Sequence, residues 1–95
     1  MLEPKHVEGT NTRHKVFLYT LTTCGWCRKT KALLQELGVA YDYIDVDDQQ
    51  GADRELAKQE VLKWNSSLSF PTMVLDDSET VVGFSEVRIR RLASE

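Results

Sequence analysis

Cys24 and Cys27 are the only cysteines in this 95-residue chain, and they stand three positions apart. On a helix, residues at that spacing lie one above the other. One thiolate of such a pair can attack a disulfide and form a mixed disulfide, which the second thiol then resolves. Two cysteines cannot build a disulfide-dense secreted scaffold. Nor can they fill a structural zinc site, which takes four ligands. The two histidines, His6 and His14, sit in a polar N-terminal stretch with the wrong mutual spacing for a finger. Two competing readings stand beside redox chemistry. One is a pair of small core thiols that never oxidise. The other is a metal or cluster site shared between two subunits.

The elements around the pair decide what each thiol can do. Val16-Phe17-Leu18-Tyr19 is a short unbroken apolar run, the pattern of a strand buried on both faces. From Gly25 to Leu37, residues Cys27, Thr30, Leu34 and Leu37 recur at helical spacing. Thr23 or Cys24 is the expected N-cap. Gly38 stands where a helix end favours positive φ. Val39 to Asp47 alternates as a second strand, with Tyr41 and Tyr43 on one face and Ile44 and Val46 near the other. Ala52 to Trp64 reads as a helix with Ala52, Leu56, Leu62 and Trp64 on its apolar side. Phe70 to Leu75 and Thr80 to Phe84 read as strands joined by a turn over Asp76 to Glu79. A last helix starts at Ser85 or Glu86 and runs through Val87, Ile89 and Leu92.

This order is βαβαββα. The first two strands should be parallel, with a right-handed crossover. The last two should form an antiparallel hairpin. The expected architecture is a four-stranded mixed sheet flanked by three helices, an α/β fold. Residues 1–13 are expected to be a mobile polar leader and residues 14–95 a single domain.

Cys24 falls where the first strand gives way to the helix. Unpaired backbone N–H groups and the helix dipole there favour a thiolate, and Arg28, Lys29 and Lys31 add positive charge. Cys27 falls on the apolar stripe, so it should be buried, less reactive and suited to resolving. Trp26, between the two, is either an incidental surface aromatic or a platform for a peptide or thiol partner. Pro71 opens a strand, where no ladder donor is lost.

Composition excludes several classes. The net charge of −3 argues against a basic nucleic-acid-binding domain. No apolar run approaches the length of a membrane span. The first residues hold no apolar signal core, so the cytoplasm is the expected compartment. Asp42, Asp45, Asp47, Asp48, Asp53, Glu55 and Glu60 make residues 41–60 acidic, so this region and the cysteine end should carry opposite potentials.

Three segments together carry a family resemblance: Tyr19-Thr20-Leu21-Thr22-Thr23-Cys24-Gly25-Trp26-Cys27, Ser69-Phe70-Pro71-Thr72 and Val82-Gly83-Phe84-Ser85. The chain resembles a glutaredoxin over roughly Lys15 to Leu92. The resemblance implies a thioredoxin-like fold and dithiol–disulfide exchange. It further implies Cys24 as nucleophile, Cys27 as resolving thiol and Pro71 as a cis-proline that exposes the Phe70 backbone to a substrate strand. Gly83 and Phe84 join Trp26, Phe70 and Pro71 as implied substrate-binding residues.

The chain departs from many glutathione-using members at three places. Leu21 stands where they carry a lysine that pairs with a glutathione carboxylate. Gly25-Trp26 replaces Pro and an aromatic between the cysteines, and Gly83-Phe84 replaces a Gly-Gly turn. The Gly-Phe pair is more like the glutaredoxin-like redoxins that behave as thioredoxins and serve ribonucleotide reductase. The expected partners are therefore protein disulfides and a protein reductase, with ribonucleotide reductase a candidate and glutathione a weakened reductant. No metal or resident cofactor, nucleic acid or membrane is expected, and the protein is expected to be a monomer. The alternative function is an iron–sulfur cluster carrier bridging two subunits through Cys24.

Overall fold

The apolar run Val16–Thr20 forms the middle strand of the sheet, flanked on both sides. The structure is a computed structural model, and it describes residues 2–95. In chain order the elements are β1 (Lys5–Val7), β2 (Val16–Thr20), α1 (Gly25–Glu36), β3 (Tyr41–Asp45), α2 (Ala52–Trp64), β4 (Thr72–Leu75), β5 (Glu79–Val82) and α3 (Glu86–Ser94). A 3-10 turn over Val46–Asp48 links β3 to α2.

The sheet runs in the order β1-β3-β2-β4-β5. β2 and β3 are parallel, with Leu18 opposite Tyr43, as a helical crossover requires. β4 is antiparallel to both β2 and β5. The sheet has five strands rather than the four expected. Lys5–Val7 pairs antiparallel with β3, Val7 opposite Tyr41, so part of the expected leader is an edge strand. Asn11 continues the attachment. Its N–H donates to Gly38 O, and its carbonyl accepts the Ala40 N–H. The leader's polarity concealed this, because an edge strand held by backbone pairing needs little apolar side-chain content.

Two apolar clusters cover the sheet. Leu18, Leu34, Tyr41, Met73, Ile89 and Leu92 belong to one, which joins the sheet to α1 and α3. Tyr19, Ile44, Val46, Ala57, Val61 and Val74 belong to the other, which joins it to α2. Tyr41 and Ile44 thus fall on opposite faces, as the alternation predicted.

Helix α2 has its expected limits but a different buried face. Leu56 and Leu62 are exposed, and Ala57 and Val61 are buried instead, with Trp64 partly buried against the same cluster. Ala57, Val61 and Trp64 follow the i, i+4, i+7 spacing of one stripe. Val87 on α3 is also exposed rather than packed. The last strands are shorter than expected: β4 begins at Thr72, after Pro71, and β5 ends at Val82. Gly83 leaves the strand with φ +81°, and its N–H donates to the Pro71 carbonyl at 2.8 Å. Among the described residues, no helix is long and apolar enough to cross a membrane.

Candidate active site

Cys24 is the N-cap of α1, with extended backbone. Its Sγ accepts the backbone N–H of Cys27 at 3.1 Å. A sulfur in the place usually held by a Ser or Asp oxygen thus satisfies one of the helix's open donors. The first turn of α1 contains no acidic residue to repel a negative sulfur. Cys24 is partly exposed, while Cys27 is only 1% exposed. Burial pushes the Cys27 thiol up to about 12, and its hydrogen bond with Cys24 adds to the rise. Cys24 is therefore the accessible sulfur, and Cys27 the buried, protonated one.

The loop carrying Pro71 closes over the pair. The Phe70–Pro71 peptide bond is cis, as the resemblance implied, and the Phe70 carbonyl lies 3.9 Å from Cys24 Sγ. Asn65, just past the end of α2, holds this segment. Its amide donates to Ser69 O at 3.2 Å, Ser69 Oγ at 3.0 Å and Thr72 Oγ1 at 3.0 Å. Its Oδ1 accepts from the backbone and hydroxyl of Ser67 at 3.1 and 2.6 Å. Thr72 Oγ1 donates in turn to Ser69 O at 2.8 Å. The available signal was an Asn at a helix end followed by Ser67, Ser69 and Thr72, residue types that bond locally to the backbone.

On the α1 and α3 side, Trp26 stacks on Phe84, with ring centroids 5.7 Å apart and planes 21° from parallel. Trp26 is 57% exposed. Lys29 Nζ sits 4.9 Å from the Trp26 ring centre, in cation–π range. Arg28 donates to the Thr22 carbonyl at 3.3 Å. Both basic residues lie on the first turn of α1 after Cys24, but their described contacts are with the Trp26 ring and the Thr22 backbone. The direct donor to Cys24 sulfur is the Cys27 N–H. Lys31, one turn beyond Cys27, pairs with Asp45 at 3.2 Å and lies over the Tyr43 ring.

On the α2 side, Leu21, Val46, Leu68 and Phe70 line a cavity of about 280 Å³ with Asp47, Arg54 and Lys58. Asp47 receives the Thr22 N–H at 2.9 Å and the Thr22 hydroxyl, fixing the turn before Cys24. Burial opposes ionisation of Asp47, but the Thr22 bonds outweigh it and hold the carboxyl below its ordinary range. Among the described residues, no group of three or more His, Cys, Asp or Glu side chains gathers in metal-binding geometry.

Comparison with known proteins agrees with this geometry. The family model described as glutaredoxin matches residues 16–79. Glutaredoxin 1 of Rickettsia bellii is 34% identical over 64 residues, 67% of this chain, and the chain spans 64% of that relative's length. The solved structure of the glutaredoxin from Methanosarcina mazei Go1 matches with a TM-score of 0.84 at 46% identity, covering 97% of this chain and 88% of its own. Methanosarcina acetivorans methanoredoxin matches with a TM-score of 0.80 at 42% identity, covering 85% of each chain.

Proposed function

Because the chain belongs to the glutaredoxin family, we propose that it is a thiol–disulfide oxidoreductase working through Cys24 and Cys27. One observation carries this reading. A partly exposed sulfur at a helix N-terminus accepts the N–H of a second, buried cysteine at 3.1 Å, beside a cis-proline loop.

The chemistry follows from the two environments. The Cys24 thiolate attacks one sulfur of a substrate disulfide. That S–S bond breaks, and the departing sulfur takes a proton from solvent. Cys24 is left in a mixed disulfide. Cys27 then gives up its proton and attacks Cys24 Sγ, closing the Cys24–Cys27 disulfide and releasing the second substrate thiol. Two electrons pass from the pair to the substrate. Burial keeps Cys27 protonated until this step, so it does not compete for the first attack. An external dithiol or two monothiols return the pair to the reduced state.

Protein disulfides are the acceptors in this reading, a ribonucleotide reductase among the candidates. A protein reductase is favoured over glutathione as donor, because apolar Leu21 stands where many glutathione-using members carry a carboxylate-pairing lysine, which leaves Arg54 and Lys58 as the cations at that cavity. Losing one such charge-assisted bond costs on the order of 1–3 kcal/mol.

Substitution tests the core of the proposal. Cys24→Ser should abolish disulfide reductase activity, and Cys27→Ser should accumulate the mixed disulfide. Full activity in Cys24→Ser would overturn it. The reduction potential tests the donor: about −270 mV matches a thioredoxin-like partner, whereas about −200 to −230 mV matches a glutathione-linked one.

A further inference from the structure

Lys31 is a largely covered charge on the same helix as the resolving thiol. It stands four residues after Cys27, so the two lie on one face of α1. The Lys31 side chain is only 21% exposed. Its Nζ reaches Asp45 Oδ1 at 3.2 Å and lies 3.8 Å from the centre of the Tyr43 ring. Asp45 is 14% exposed and is fixed in turn, because the same Oδ1 accepts the hydroxyl of fully buried Thr20 at 2.6 Å. Thr20 and Asp45 are partners in the β2–β3 pairing and end those two strands. The ammonium is thus held between α1 and the end of the sheet from which the Cys24 turn leaves.

Taking an ion pair out of water costs free energy, and its attraction often returns no more than a packed apolar pair would. Here the pair flanks a group that must change its charge. Cys27 waits as a neutral thiol and attacks as a thiolate. Burial and the neighbouring Cys24 oppose that charge, while a backbone bond from Leu21 and the Lys31 charge favour it. The opposition from Cys24 lasts only while that sulfur is free. Once Cys24 is in a mixed disulfide it can carry no negative charge, and Lys31 remains as the side-chain charge acting on Cys27.

The other charged groups nearby are engaged elsewhere. Arg28 donates to the Thr22 carbonyl, and Lys29 lies on the Trp26 ring. Asp47 is bound by Thr22. On α3, Glu86 pairs with Arg90, which also meets Glu36 of α1. The loop over the pair, Ser69 to Thr72, brings no charged side chain.

We propose that Lys31 is the charge that promotes resolution: its ammonium, held in place by Asp45, stabilises the Cys27 thiolate as it forms in the mixed disulfide. The inference rests on the redox reading above and assigns a residue to its second step. In that step the Cys27 S–H bond breaks and its proton passes to solvent. The sulfur's electron pair forms the bond to Cys24 Sγ. The bond from Cys24 to the substrate sulfur breaks, and its electron pair leaves on that sulfur. Lys31 keeps its own proton throughout.

The test uses the full chain with both cysteines in place. Reduced protein is mixed with one equivalent of dithiobis(nitrobenzoate) in a stopped-flow instrument. Attack by Cys24 releases the first coloured thiolate, and ring closure by Cys27 releases the second. Lys31→Met should slow the second release at least about fivefold at neutral pH and leave the first unchanged. The rise of the second rate with pH should move to higher pH in this variant. Lys31→Arg, which keeps the charge, should restore both the rate and the profile. Should Lys31→Met fail to fold, Lys31→Gln takes its place, because it removes the charge and keeps a donor for Asp45.

An unchanged second release without the Lys31 charge would overturn this inference and leave the exchange chemistry standing. Equal slowing of both releases would also overturn it, in favour of a general field at the site. Closure slowed by the same factor at every pH, in Lys31→Arg as in Lys31→Met, would make the pair a structural staple and overturn it too. No release from the unaltered protein would sink the redox reading, and this inference with it.

Discussion

The backbone N–H of Cys27 donates to Cys24 Sγ at 3.1 Å, while the Cys27 thiol is buried beneath the same helical turn. One residue thus supports the nucleophile through its backbone and waits as the resolving thiol through its side chain. Substituting the Cys27 side chain leaves the N–H in place. Cys27→Ala should therefore retain the first attack and lose turnover, which stopped-flow release of the first leaving thiol would separate from steady-state reduction.

The raised pKa of Cys27 has a stability consequence. Burial lifts it from an ordinary value of 9.0 to about 12 in the folded protein. The folded state keeps the proton where the unfolded chain loses it. The associated stability is complete below about pH 9 and is lost as pH rises toward 12. Tyr19, pushed from 10.0 to about 12 by burial, adds to the loss in the upper part of the range. Urea unfolding of the reduced protein at rising pH should show this decline, and Cys27→Ala should flatten it. An equally steep decline in the variant would assign the loss to other groups.

Asn65 anchors the loop that presents Phe70 and Pro71. Asn65→Ala leaves Ser67, Ser69 and Thr72 without their shared partner, at a cost of about 2–3 kcal/mol. The attack rate of Cys24 on a substrate disulfide should fall as the Phe70 carbonyl loses its fixed place. Denaturant melts and single-turnover rates on the same samples check both effects.

The N-terminal strand should contribute measurably. Deleting residues 1–12 removes the β1–β3 pairing and the Asn11 bonds to Gly38 and Ala40, and should cost on the order of 1–3 kcal/mol. The sequence alone led to the opposite expectation, of little change. Gly9→Ala probes the same region with one carbon. A Cβ there would lie 2.5 Å from both Ala40 N and Gly38 O, backbone atoms with little room to yield. It should destabilise by about 1–3 kcal/mol, and thermal melts would show it.

Attachment of that strand should depend on pH. His6 Nδ1 meets Asp42 Oδ1 at 2.7 Å, and this hydrogen bond raises the His6 pKa above its ordinary 6.5. The contribution is present below that value and is lost as pH rises through the higher, folded one. Asp76 works in the other direction. Its bond with His14 lowers its pKa, so its contribution holds above the ordinary carboxylate range and fades as pH falls. Protection of the Lys5–Val7 amides, taken relative to the intrinsic exchange rate at each pH, should therefore fall from mildly acidic to alkaline pH, and His6→Gln should remove that fall.

Local rules account for much of what the sequence made legible. The cysteine spacing, the apolar stripe through Cys27 and Leu34, the cap at Cys24 and the glycine at 38 each depend on residues within a few positions of one another. They were sufficient to place α1 and to divide the roles of its two thiols. The β2–β3 crossover and the β4–β5 hairpin followed from connection length. Features that depend on distant partners were decided only by the tertiary structure. Ala57 and Val61 displaced Leu56 and Leu62 from the core because the sheet, rather than the helix alone, selects the buried stripe. Lys5–Val7 became a strand because Tyr41–Asp45 offered an open edge. The cavity beside Cys24 exists because Leu21, Val46 and the Leu68–Phe70 loop come from three separate segments. Sequence pointed to which sulfur is accessible and which is buried, since that depends on one helical turn. Tertiary packing decided what stands beside them, since that depends on side chains brought together only by the folded sheet.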